Sequence, residues 1–248
     1  MIEADVVAEA KRLLAFANER DAPLRLLGGV AIYLRAPREL APAFARAYVD
    51  IDFATAKKGA RSVGELFRDA GYEPHVAFNA LHGQERLLFF DEQHDRQVDV
   101  FVGAFSMCHR IPLEGRVAID PVSIPLAELL LTKLQVIELN EKDIRDTLAL
   151  LHDHPIADDD GATLNGARVA ELCAADWGLW RTITANLVAC RAFADTYEVP
   201  DRPALDERVD ALLARIEAEP KTRSWKLRAK IGDRKRWYEL PEEVAGGP

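Results

Sequence analysis

The sequence predicts an α+β protein: a small mixed β-sheet with helices packed on it, followed by a helical C-terminal domain. Three observations carry that expectation. Between residues 23 and 120, short apolar runs with strand periodicity alternate with one or two helical stretches. From Pro125 onward the strand signals fade and helical spacing dominates. With 248 residues, 49% of them hydrophobic, the chain can bury a proper core in one large domain or two modest ones.

The elements follow in order. Val6, Val7, Ala10, Leu13, Leu14 and Ala17 line one face of an amphipathic helix over residues 3–20. Pro23-Leu24-Arg25-Leu26-Leu27 reads as a strand running into Gly28-Gly29, and Val30 to Leu34 as the first turns of a helix. Paired glycines at such a turn let the backbone approach a ligand closely and present amides at a helix N-terminus, although most such pairs are only turns. Residues 30–49 hold Pro37 and Pro42 and read as a helix end plus a surface loop.

In Ala47-Tyr48-Val49-Asp50-Ile51-Asp52-Phe53 the apolar residues alternate with two aspartates, so the stretch reads as a strand with Asp50 and Asp52 on its polar face. Their α-carbons would stand roughly 6.6 Å apart. Like charges this close repel, and aspartate is depleted in strands, so a hard divalent cation with oxygen ligands is the expected counterweight. A solvated strand face is the competing reading. A helix over residues 57–70 is expected next.

Residues 85–91 and 96–102 form a hairpin about the polar turn Glu92 to Asp95, with Asp99 between Val98 and Val100. Ser123-Ile124-Pro125 looks like a capped helix start, and Leu126, Leu129, Leu130 and Lys133 recur at helical spacing behind it. Lys133 is then either a snorkelling side chain or a cation for a phosphate group. The next helix begins near Glu141 and places Asp143 and Asp146 on one face, where a plain exposed charged face competes with a functional one. Helices are expected over residues 169–174, 177–194 and 205–216. The domain division expected is 1–152 for the core, 153–163 for an acidic linker and 164–248 for the helical domain with its basic tail.

Taken together, the Gly28-Gly29 turn, the Asp50-Ile51-Asp52 strand and the later Asp99 strand resemble the nucleotidyltransferase superfamily with the polymerase-beta-like core. More narrowly, the chain resembles the abortive-infection (AbiEii-type) and MenT-type toxin nucleotidyltransferases, with Leu131-Thr132-Lys133 and Lys142-Asp143-Ile144-Arg145-Asp146 similar to that branch's lysine and KDxxD elements. The resemblance spans residues 20–152. Two departures stand out: Val30 occupies a place where many relatives carry a hydroxyl, and the gap between the glycines and Asp50 is longer than in compact members.

The resemblance implies a nucleotidyltransferase core binding two magnesium ions. Asp50 and Asp52 would hold the first ion and, with Asp99, the second. Gly28 and Gly29 would bind nucleotide phosphates, with Lys133 and Asp146 as further catalytic residues. It also implies transfer of a nucleoside monophosphate from an NTP to an acceptor hydroxyl, the 3′ end of tRNA in the toxin branch, and an antitoxin protein as partner. A small-molecule (aminoglycoside-type) transferase and a non-catalytic nucleotide- or partner-binding module of the same fold remain the alternatives.

Composition bounds the rest. There is no P-loop, GxGxxG, HExxH or GxSxG. Cys108, Cys173 and Cys190, odd in number and without CxxC, predict reduced thiols. No apolar stretch approaches a membrane span and the first residues carry no leader pattern, so a cytoplasmic protein with no membrane partner is expected. His152-Asp153-His154 reads as part of a solvated loop. Residues 221–236 carry eight basic residues against Asp233, with Trp225, Trp237 and Tyr238 interleaved, in a chain of net charge -9. That segment reads either as an RNA-binding patch with aromatics for stacking or as a basic helix docked on an acidic body.

Overall fold

A computed structural model describes residues 2–240. The chain is α+β. Helix α1 (Val6–Asn18) starts at Asp5, whose carboxylate caps the Ala8 amide, and buries Ala10, Leu13, Leu14 and Ala17. Strand β1 (Arg25–Leu27) passes directly into α2 (Gly28–Arg35), and a loop over residues 36–50 leads to β2 (Ile51–Thr55). A 3-10 turn over Lys57–Gly59 opens α3 (Ala60–Asp69), which is followed by β3 (Glu73–Pro74), α4 (Val76–His82) and the hairpin of β4 (Arg86–Asp91) and β5 (Arg96–Val102). A second, smaller hairpin joins β6 (Ala104–Ser106) to β7 (Arg110–Pro112).

The main sheet has the order β1-β2-β5-β4-β3. Only β2 and β5 run parallel; the other three pairings are antiparallel. The connection between the parallel strands carries α3, β3, α4 and β4. On one face of β2, Ile51 and Phe53 are fully buried, and Phe53 meets Phe67 of α3 at 5.9 Å between ring centroids. Phe67 also stacks on Phe89 at 4.5 Å. The opposite face carries Asp52 and Asp99.

Helices dominate the remainder, as expected: α5 (Leu126–Leu134), α6 (Glu141–Asp153), α7 (Gly166–Ala175), α8 (Trp177–Phe193), α9 (Arg202–Ala218) and α10 (Arg223–Ile231). Two two-residue strands, β8 (Ile156–Ala157) and β9 (Leu164–Asn165), interrupt them. One cluster of buried apolar residues runs from Ala10 through the sheet and α5 to Ile216 of α9, so the helical part packs into the same core. No described helix is long and apolar enough to cross a membrane.

Four expectations need correction. The Asp-x-Asp strand begins at Ile51, and Val49 is 57% exposed rather than part of a buried face. Strand β1 spans only three residues, paired with Asp52 to Ala54, so it offers residues 47–50 no ladder partner. Ser123 is not a helix cap: it forms an isolated bridge to Leu26 of β1 and turns its hydroxyl to Ile124 O, while Pro125 stands at the cap position with no side-chain cap. His152 and His154 are buried rather than solvated; His152 ends α6 against Phe44, and His154 contacts Ala162 O. Burial holds the His154 imidazole below its usual pKa.

Candidate active site

The two strand aspartates face each other across the parallel pair, Asp52 in register with Asp99. Adjacent parallel strands place such residues on one face, so two carboxylates share one strip of sheet. Burial first, then the neighbouring charges of Asp99 and Asp50, push the Asp52 carboxyl up to about 7, against the opposing pull of Lys133 and Arg86. Asp50 stands just outside the ladder at the entrance to β2. Burial is the main cause of its raised pKa, Asp99 adds to it, and Lys142 and Arg46 oppose it.

The glycine pair has a steric reason to be glycine. Gly28 adopts φ +68°, and a Cβ there would lie 2.2 Å from Asp52 Oδ2. A Cβ on Gly29 would lie 1.8 Å from a terminal nitrogen of Arg46. The pair therefore admits a carboxylate on one side and a guanidinium on the other at the mouth of α2, whose N-terminus no side chain caps. That end offers amides and a favourable dipole to an anion.

Lys133 and Asp146 come to the same place from α5 and α6. Lys133 Nζ lies 2.9 Å from Asp146 and 3.3 Å from Asp143, the i,i+3 pair on α6. Burial works against the lysine charge, but Asp146, Asp143 and Asp52 together hold its pKa above the ordinary value. Asp146 is 3% exposed and is held below the usual carboxylate range, despite its burial, by Lys133 and by a bidentate pair of bonds from Arg46 at 2.8 and 2.7 Å. Helix α6 is set in place by Asn140, whose side chain accepts from the Asp143 amide.

All seven candidate residues thus cluster around the end of α2. Four further groups belong to the cluster. Arg46, from the loop before β2, lies 4.6 Å over the Tyr48 ring while binding Asp146. Burial, with the Asp146 charge behind it, raises the Tyr48 hydroxyl to about 12, so it stays protonated. On the far side, Arg86 donates to Asp99 at 2.6 Å and Gln97 donates to it at 2.7 Å. The signal for Arg46 was its place in the loop just ahead of Asp50 and β2. Arg86 was visible only as a charge two positions from buried Leu88 on β4.

The donor set suits a hard cation, since it consists of carboxylate oxygens beside a backbone turn kept open by Gly28. Among the described residues, no group of three His, Cys, Asp or Glu side chains is arranged to hold a metal ion.

The C-terminal basic segment lies on a different surface. Helix α10 has no buried residue. The aromatics of the segment are committed to packing: Trp225 meets Trp180 at 5.2 Å, Trp237 meets Trp177 at 6.1 Å, and Arg228 covers Trp177 at 4.6 Å. The exposed groups include the cations Arg223, Lys226, Lys230, Arg234, Lys235 and Arg236, together with Asp233 and the apolar Leu227 and Ile231. The three cysteines are buried and free. Comparison of the chain with protein-family models and with curated proteins finds no match.

Proposed function

We propose that the protein is a magnesium-dependent nucleotidyltransferase acting on an RNA acceptor, a tRNA 3′ end by the toxin-like resemblance, in the cytoplasm. The observation that carries this reading is the in-register Asp52–Asp99 pair beside the uncapped Gly28-Gly29 helix start, with Lys133 held against Asp146.

Gly28 and Gly29 amides would receive phosphate oxygens of the NTP, doing without the hydroxyl that Val30 lacks. Lys133, kept charged by Asp146 and Asp143, faces the same region and suits the triphosphate or the departing pyrophosphate. Asp50, Asp52 and Asp99 would hold magnesium, which when bound neutralises phosphate charge and lowers the pKa of the attacking hydroxyl. The acceptor oxygen bonds to the α-phosphorus as pyrophosphate leaves, and the hydroxyl proton passes to the carboxylate pair. Asp99 is the member of the pair on the acceptor side, oriented by Arg86 and Gln97. Arg46 positions Asp146, which positions Lys133. The exposed cations of residues 221–236 would meet the RNA backbone through charge.

The test is nucleotide transfer by the purified chain with magnesium and each labelled NTP in turn, offered total tRNA or an aminoglycoside panel. Label on RNA that falls at least about 10²–10³-fold in Asp52→Asn supports the reading. Label on an aminoglycoside moves the acceptor to a small molecule. Magnesium-dependent NTP binding with no transfer would mark a binding module.

A further inference from the structure

A cavity of about 220 Å³ lies between β4, β5 and α4, walled in part by the arginine that donates to Asp99. Phe78, His82, Glu85, Arg86, Phe101 and Met107 are among its walls. Its link to the site is Arg86, which lines the cavity and also donates to Asp99. Phe101 stands two residues beyond Asp99 on β5, on the same face of the strand, and pairs across the ladder with Arg86.

The sheet order fixes the sense of the arrangement. Gly28 and Gly29 lie at the end of β1, Asp52 on β2, Asp99 on β5, and the cavity beyond, between β4, β5 and α4. Phosphate cradle and cavity are therefore on opposite sides of the carboxylates. In an in-line displacement the leaving pyrophosphate and the attacking hydroxyl also stand on opposite sides of the reacting phosphorus. A cavity on the far side from the cradle is placed for the acceptor.

Its walls suit a nucleobase. Phe78 and His82 rings lie 4.7 Å apart, and the Arg86 guanidinium sits 5.8 Å from the Phe78 centroid and 5.2 Å from that of Phe101. Flat aromatic and guanidinium surfaces are what unpaired bases stack on, and Glu85 and Ser106 add polar groups at the wall for base edges. The volume falls below the roughly 300–1,000 Å³ of sites for drug-sized ligands, which matches one ring system rather than a whole nucleotide. Glu239 and Leu240, from the chain segment that follows the basic residues, also line it. The Glu239 amide donates to Cys108 O, and Glu239 also borders a neighbouring cleft walled by Arg228, Lys235 and Arg236. A strand drawn onto the cations is thereby led toward the cavity.

We infer that this cavity is the subsite for the terminal, unpaired base of a single-stranded RNA acceptor, holding its 3′ hydroxyl against Asp99. The identity of the acceptor rests on the transferase reading; the affinity of the cavity for a base does not.

The test measures binding of a 5′-labelled single-stranded hexaribonucleotide to the full chain by fluorescence anisotropy, for wild type, Phe78→Ala and Phe78→Trp. NTP binding is measured in parallel by calorimetry. Phe78 is half-buried, and thermal melts establish that both variants fold. Phe78→Ala is expected to weaken RNA binding about tenfold with NTP binding unchanged, and Phe78→Trp to restore it. RNA binding indifferent to Phe78, no RNA binding by wild type, or weakened NTP binding in its place would overturn the assignment, the last because the cavity would then hold the incoming base. Transfer assays on the same proteins separate the two claims. Phe78-dependent RNA binding with no transfer to any acceptor would sink the transferase reading and leave the base subsite standing. Transfer with an acceptor KM unaltered in Phe78→Ala would sink the subsite alone.

Discussion

Helix α5 contributes to two buried ionic clusters, and they are built differently. Toward its N-terminus, Glu128 is fully buried and receives Arg116 at 2.6 and 2.9 Å and Arg168 at 3.0 Å, while Arg116 also binds Asp160. Burial opposes the Arg116 charge, but its bonds to Asp160 and Glu128 raise its pKa. Every buried charge there has a partner of opposite sign. Further along the helix, Lys133 enters a cluster in which Asp50, Asp52, Asp99, Asp143 and Asp146 outnumber Arg46, Lys133, Arg86 and Lys142. The surplus falls on Asp52, whose carboxyl is pushed up to about 7. The balanced cluster ties the 153–163 segment and α7 to the core. The unbalanced one retains an unmet demand for positive charge.

The comparison can be broken in four places. Glu128→Ala should cost about 3–5 kcal/mol in urea denaturation, because it removes the fully buried carboxylate that two guanidinium groups share; a loss under about 1 kcal/mol would show the first cluster to be dispensable. Gly28→Ala should cost about 2–3 kcal/mol by the same measurement, combining a left-handed φ with a Cβ driven into Asp52. A milder effect would mean that the α2 entry yields easily.

Asp52→Asn, with metal chelated, should stabilise the protein at pH 8 by on the order of 2 kcal/mol, the full shift being discounted for partial exposure. The sign follows from a folded-state pKa above the unfolded one: the native state favours protonated Asp52, and wild type loses that stability as pH rises through about 7. The advantage of the Asp52→Asn variant should therefore vanish by about pH 4, where wild type is protonated in the native state. An advantage independent of pH would refute the charge surplus. The smallest effect concerns magnesium, which at about ten times its Kd contributes about 1.4 kcal/mol and should raise Tm by about 3–6 °C at pH 8, less at pH 6, and hardly at all in Asp52→Asn. Equal shifts in mutant and wild type would place the ion elsewhere.

Strand periodicity made Asp52 and Asp99 legible in the sequence, and the Asn140 and Glu141 region announced α6. Local pattern has limits, and Val49 shows one: it alternates correctly with the aspartates yet is exposed, because strand pairing depends on the length of the partner β1. Arg46 shows another. It binds Asp146 from 100 residues away, and no periodicity encodes which of many arginines closes on which acid. His152 and His154 read as solvated from their acidic surroundings, whereas packing of Phe44 and the β8–β9 bridge encloses the segment. Trp225 and Trp237 looked available for stacking on RNA, but the tryptophans of α8 had prior claim on their rings.

The residues that meet at the mouth of α2 come from positions 28, 46, 52, 99, 133 and 146, and the pairing that joins Asp52 to Asp99 closes across β3, β4 and two helices. Contacts of that sequence separation form late, after the loop-closure entropy has been met. A ribosome synthesising this chain releases both glycines and the first carboxylates long before it releases Lys133 and Asp146. A truncated or stalled product therefore carries pieces of the cluster without the contacts that close it, and the cluster is complete only in chains that have passed α6 and folded.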